Sequence, residues 1–141
     1  MKDLATARAC ADLMYANDTA SRALGIEIEI PEPGSAVATM TVRDDMTNGF
    51  DICHGGLIFT LADTAFAFAC NAYDNVTVAG SGTIEFLRPV YSDDVLRAVA
   101  LEEHRGQRGG LYAVEVLNQN NDFVALFRGR AVARGQPLLE S

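Results

Sequence analysis

A chain of 141 residues, 49% apolar and 21% charged, has the size and composition of one ordinary globular domain that can bury a core without disulfide staples. Its formal charge of −8 argues against nucleic acid as a partner, because neutralising phosphates needs a basic face, but leaves room for a small polyanion held by a few local arginines. Cys10, Cys53 and Cys70 are odd in number and lack paired spacing, which argues against a disulfide framework or a zinc site and fits a reducing cytoplasm, and no charge-free apolar run is long enough to span a membrane.

Residues from about Asp3 to Asn17 read as a helix with Leu4, Ala7, Ala11 and Met14 on one side. The stretch Met1 to Met14 mixes Lys2, Asp3 and Arg8 with Ala and Leu and lacks the compact apolar core of a signal peptide. Asn17-Asp18-Thr19 ends the helix, and Ser21 to Gly25 reads as a turn. Ile26 to Ile30 alternates strictly, the mark of a half-buried strand. Pro31 to Gly34 is a turn and Ser35 to Val42 a second strand, so a hairpin is expected. Arg43 to His54 is a polar loop.

The next stretch, Gly55 to Asn71, reads as a helix: it is rich in Leu and Ala, contains no Pro and is apolar nearly all round, which predicts burial. One carboxylate, Asp63, sits in its middle, where burial without a partner raises the pKa. The Gly55-Gly56 pair leaves backbone N–H groups unshielded at the positive end of the helix dipole. The helix thus offers an anion- or oxyanion-binding end and, further along, an acid. Strands are expected over Val76 to Leu87 with a bend or bulge at Gly80-Ser81-Gly82, over Val95 to Glu103, over Leu111 to Asn118 and over Phe123 to Ala133. Flexible or polar turns at Gly106 to Gly110 and at Gln119 to Asp122 separate the last three. Arg134 to Ser141 reads as a tail. One α+β domain over residues 1–141 follows, with an antiparallel sheet laid on a helix.

The combination Asn48-Gly49, Cys53-His54-Gly55-Gly56, Leu61-Ala62-Asp63-Thr64-Ala65 and Asn71, joined by Thr83 to Pro89 and by Asn118-Gln119 with Val124 to Gly129, resembles the PaaI family of hotdog-fold acyl-CoA thioesterases. The likeness runs from about Leu24 to Ala133. It implies the hotdog fold, an antiparallel sheet wrapped around a long central helix. It implies dimers whose sheets join edge to edge, paired further into tetramers. It also implies hydrolysis of acyl-CoA thioesters in phenylacetate degradation, with phenylacetyl or ring-hydroxylated phenylacetyl groups favoured. CoA then arrives as part of the substrate, and no metal or resident cofactor is expected.

On that resemblance Asp63 is the general base or the nucleophile, and the Gly55 N–H polarises the carbonyl. Asn48 and His54 position water, substrate or the loop. Gly56 and Ser81 contact the substrate, and Arg88, Arg128 and Arg130 are candidates for the CoA phosphates. Spacing adds its own prediction: eight residues separate Gly55 from Asp63, roughly 12 Å along a helix, too far for both to act on one carbonyl from one chain. Two antiparallel helices from two chains remove the difficulty, so the site is expected to be shared across a dimer. The competing readings are a hydratase or dehydratase on the same fold, which needs a second titratable partner for Asp63 such as His54 or His104, and an acyl-CoA-binding module without catalysis. Plain structural roles compete as well: Asp63 as a buried acid bonded to backbone N–H groups, Asn48 as a turn residue and His54 as a helix cap. A Cys53–His54 nucleophile is a further reading, weakened because adjacent residues rarely face each other.

Overall fold

The structure, a computed structural model, describes residues 3–139; the last two residues of the expected tail, 140 and 141, lie outside them. Helix α1 spans Leu4–Asn17. Asp3 caps it by accepting from the Ala5 N–H at 2.9 Å. Ala7, Cys10 and Ala11 are its buried face, and the Tyr15 hydroxyl, donating to the Ile26 carbonyl at 2.7 Å, ties it to the first strand. The expected turn at Ser21 to Gly25 is corrected: a five-residue helix, α2, runs Thr19–Ala23. Asp18 makes it possible by accepting from both the N–H and the hydroxyl of Ser21.

Strand β1 (Glu27–Glu29) pairs antiparallel with β2 (Ser35–Thr41), Ile28 opposite Ala38, as the alternating pattern predicts. After a loop with a short 3-10 turn at Asp44–Met46, helix α3 runs Gly55–Cys70. Four long strands follow: β3 (Thr77–Phe86), β4 (Val95–Gly106), β5 (Gly109–Leu117) and β6 (Phe123–Ala133). All six form one antiparallel sheet in the order β1-β2-β4-β5-β6-β3. The sheet wraps α3, which touches β2 through β6. This is the hotdog arrangement. The anticipated irregularity in β3 is a register shift between Ala79 and Ser81.

Phe66 of α3 is the centre of the core, 5.6 Å from the Tyr112 ring and 5.7 Å from Phe127 between centroids. It rests on Gly129 of β6, where an added Cβ would stand 2.8 Å from the Phe66 ring. The ring is fully buried and has nowhere to move. Gly129→Ala is therefore expected to destabilise the fold by about 1–3 kcal/mol, read from the midpoint of denaturant unfolding. An unchanged midpoint would mean that the core is looser here than it looks.

Burial of α3 on all sides is not met within one chain. Ile58, Leu61, Ala62, Ala65, Phe66 and Ala69 are enclosed, but Leu57, Thr60, Asp63 and Ala67 are only half-buried and Gly56 is exposed. The neighbouring strand β3 is equally bare. It has a strand on one side only, and Val78 and Phe86 are 43% and 52% exposed. A ten-residue edge left open, with Val78 and Phe86 bare, is the kind that another strand covers.

Candidate active site

The loop before α3 is built to present the helix start. The Asn48 side chain accepts from the Phe50 N–H at 2.9 Å, and its own N–H donates to the Ile52 carbonyl at 2.8 Å, a tight Asx turn. Asp51, at φ 60°, completes the reversal. Cys53 then donates its N–H to the Val90 carbonyl and His54 to the Met46 carbonyl, at 2.7 and 2.8 Å. The loop is thus pinned on both flanks, and Asn48 acts on loop shape.

His54 is the N-cap of α3, with its Nδ1 accepting from the Gly56 N–H at 2.9 Å. The Gly56 amide is therefore spent on the cap. The Gly55 N–H is different: it meets no acceptor among the described residues. An unpaired amide at the positive end of a 16-residue helix is a ready donor for a carbonyl oxygen that gains charge. The Phe86 ring stands over it, its Cζ 3.2 Å from where a Gly55 Cβ would be. Sequence reasoning missed Phe86 at the site; a contact between positions so far apart in the chain leaves no trace in local spacing.

Asp63 lies two turns further along α3. It has no hydrogen bond or ion pair among the described residues, and burial alone pushes its carboxyl above the ordinary carboxylate value. The structural reading of Asp63 as an acid tied to backbone amides therefore finds no bond to rest on. Its charge reaches Cys70, whose thiol is pushed up to about 12, chiefly by burial. That thiol is neutral at physiological pH and is no nucleophile. The Cys53–His54 pair is not made either: Cys53 is buried, its thiol is raised by desolvation, and its Sγ lies 3.7 Å from the His54 carbonyl oxygen. Neither histidine bonds to Asp63.

The remaining candidates are dispersed. Ser81 is exposed on β3, opposite Arg130 of β6. Arg88 pairs with Asp122 at 3.4 Å, and Arg128 with Glu103 at 2.7 Å. Of the three arginines that are candidates for the CoA phosphates, Arg88 and Arg128 thus face carboxylates, and Arg130 has no ion pair among the described residues. A cleft of about 570 Å³ lies between α1 and β1, yet Asp12, Glu27 and Glu29 line it and neither Gly55 nor Asp63 does. Its carboxylates would repel the phosphates of CoA. Among the described residues no three His, Cys, Asp or Glu side chains gather as a metal site, and no helix is long and apolar enough to cross a membrane.

Comparison with known proteins gives a consistent result. Residues 50–125 match the family model described as Thioesterase superfamily. The chain is 50% identical over 121 residues to the acyl-coenzyme A thioesterase PaaI of Escherichia coli K12, covering 86% of each. The solved structure of the E. coli PaaI protein from the phenylacetic acid degradation operon superposes with a TM-score of 0.92 at 47% identity, over 94% of this chain and 96% of that one. The smu.793 protein from Streptococcus mutans UA159, solved bound to acetyl CoA, superposes with a TM-score of 0.76 at 25% identity, over 79% and 90%.

Proposed function

This chain belongs to the thioesterase superfamily and hydrolyses acyl-CoA thioesters, and we propose that it does so at centres shared by two copies, on aromatic acyl groups. The observation that carries the shared centre is the pairing of two incomplete halves on one straight helix: an amide without an acceptor at Gly55 and a carboxyl without a partner at Asp63. Eight residues of helix hold them roughly 12 Å apart within a chain. The bare edge of β3 beside that helix supplies the route to a second copy. Antiparallel joining of two β3 edges brings Asp63 of one chain to the Gly55 end of the other, and two-fold symmetry makes two equal centres. The exposed Leu101 and Leu126 on the outer sheet face offer apolar surface for pairing two such dimers. The free thiols Cys10, Cys53 and Cys70 suit a reducing cytoplasm.

In this reading the thioester carbonyl oxygen accepts from the Gly55 N–H. Asp63 takes a proton from water, and the resulting hydroxide adds to the carbonyl carbon. The amide holds the oxyanion until it collapses and expels the CoA sulfur, which recovers the proton from Asp63. A carboxyl whose pKa burial has raised is a stronger base than an ordinary aspartate, which suits that step. Phe86 over Gly55 and Phe59 packed edge-on to Phe127 at 5.3 Å place aromatic surface along the same stretch of helix. Ring-on-ring contact favours an aryl acyl group. The E. coli relative from the phenylacetic acid degradation operon points the same way.

The test is release of CoA thiol from a panel of acyl-CoAs, phenylacetyl and hydroxyphenylacetyl against straight chains of similar size. Higher kcat/KM on the aryl substrates is expected. Faster turnover of the straight chains would remove the aromatic assignment, and failure to release thiol from any of them would leave hydration or simple binding in its place.

A further inference from the structure

The chain carries 19 acidic residues against 11 basic ones, so most of its arginines are answered. Arg43, Arg88 and Arg128 face carboxylates, Arg97 bonds to Asn121, and Arg105 lies 3.5 Å over the Tyr73 ring. Arg108 and Arg130 make no such contact among the described residues. They nevertheless line one pocket, of about 520 Å³, together with His104 and the glycines of the β4–β5 hairpin. No carboxylate lines it. Two unanswered guanidinium groups and an imidazole, gathered in an acid-free hollow on a chain of net charge −8, are a device for a polyanion.

The position of the pocket says which polyanion. The Arg130 guanidinium lies across β3 at its bulge: an added Cβ at Gly80 would stand 2.6 Å from Nη2, and Ser81 is opposite Arg130 in the register. Glycine at 80 keeps that seat clear. Within one chain the Phe86 end of β3 lies at the start of α3, and Thr77 lies at its other end, bonded to Asn71 at 2.8 Å. When two β3 edges join antiparallel, the partner's helix start therefore falls beside the Thr77–Ser81 half of this chain. That is the half on which the pocket opens.

We infer that His104, Arg108 and Arg130 form an anion pocket that takes the phosphates of the CoA nucleotide while the thioester sits at the shared centre. The inference rests on the reading of the substrate as a CoA thioester. It keeps Arg130, sets aside Arg88 and Arg128, which face carboxylates, and adds two residues that share one cavity with Arg130.

The test compares phenylacetyl-CoA with phenylacetyl-pantetheine, which has the same thioester and no nucleotide. In the full chain carrying Arg108→Gln and Arg130→Gln, KM for the CoA substrate should rise about tenfold or more while kcat stays near parental. Kinetics on the pantetheine substrate should not move. Raising the salt concentration should erode the parental preference for CoA and leave the variant unaffected. Both arginines are exposed, so thermal unfolding should match the parent, and Arg97→Gln serves as a control outside the pocket. Equal shifts on both substrates, or none on either, overturn the assignment. If neither thioester is hydrolysed by the parent, the hydrolase reading has failed, and calorimetric titration with adenosine 3′,5′-bisphosphate decides the pocket by itself. Binding weakened by about tenfold in the double variant upholds it. Equal binding by parent and variant overturns it, as does inorganic phosphate binding as tightly as the bisphosphate.

Discussion

Asp63→Asn is expected to lower kcat on an acyl-CoA by about two to four orders of magnitude, the range that a positioned general base contributes, while the chain stays folded. The amide keeps the shape of the carboxylate and loses its basicity. Because the carboxyl has no partner among the described residues, no bond is broken by the change. The same residue should set the acid limb of the pH profile. Burial raises the Asp63 pKa from the ordinary 3.8, so activity should be lost on acidification at a higher pH than an exposed aspartate would give. The sign for stability is the reverse of the usual aspartate case. The folded state holds the Asp63 proton more tightly than the unfolded chain does, so its contribution is full below 3.8 and is lost as pH rises through the raised value. At neutral pH the variant escapes the cost of a half-buried charge, and its unfolding midpoint should equal or exceed the parent's, with the difference vanishing in acid. An Asp63→Asn chain that turns over at the parental rate would remove Asp63 from the chemistry.

Much of this was legible in the sequence because it is local. The alternation of Ile26 to Ile30 and the run from Phe123 to Ala133 marked strands that the structure contains, Phe123–Ala133 to the residue. The glycine pair and the single acid on an apolar helix are the positions where the structure has an amide without an acceptor and a carboxyl without a partner among the described residues. What escaped depends on partners distant in the chain or on side-chain bonds. The turn at Ser21 became a helix because Asp18 caps it, a bond that outweighs the weak propensity of so short a segment. The glycine-rich stretch Gly106 to Gly110 read as a flexible turn, yet Gly106 pairs with Gly109 and closes the hairpin over Gln107 and Arg108 alone. Which arginines are neutralised could not be read, since Arg128–Glu103 and Arg88–Asp122 are contacts made by the fold. A histidine directly before the glycine pair is compatible with a helix cap or with a site role, and only the structure shows that its Nδ1 consumes the Gly56 amide and so singles out Gly55.

Gly55→Pro tests the other half of the centre, and with Asp63→Asn it tests whether the halves come from different chains. Proline suits the first position of a helix, where its missing N–H has no helical partner to lose. His54, at φ −59° and ψ 130°, already has the extended backbone that a residue before proline adopts. An added Cβ there meets only the rim of the Phe86 ring, 3.2 Å from its Cζ. The variant thus deletes one N–H and little else, and kcat should fall by about a hundred- to a thousandfold, as loss of one oxyanion donor does. Now let the two variants be co-expressed with different affinity tags and the mixed pair purified through both. One centre of that pair carries both substitutions and is dead. The other joins the intact Asp63 of the chain bearing Gly55→Pro to the intact Gly55 of the chain bearing Asp63→Asn. Two-fold symmetry then requires about half of the parental activity per pair, from two chains that are each nearly inert as homodimers. A site contained within one chain has no such recovery available, because each chain in the mixture has lost one of its two groups. A mixed pair as inactive as its parents would place donor and acid on the same chain.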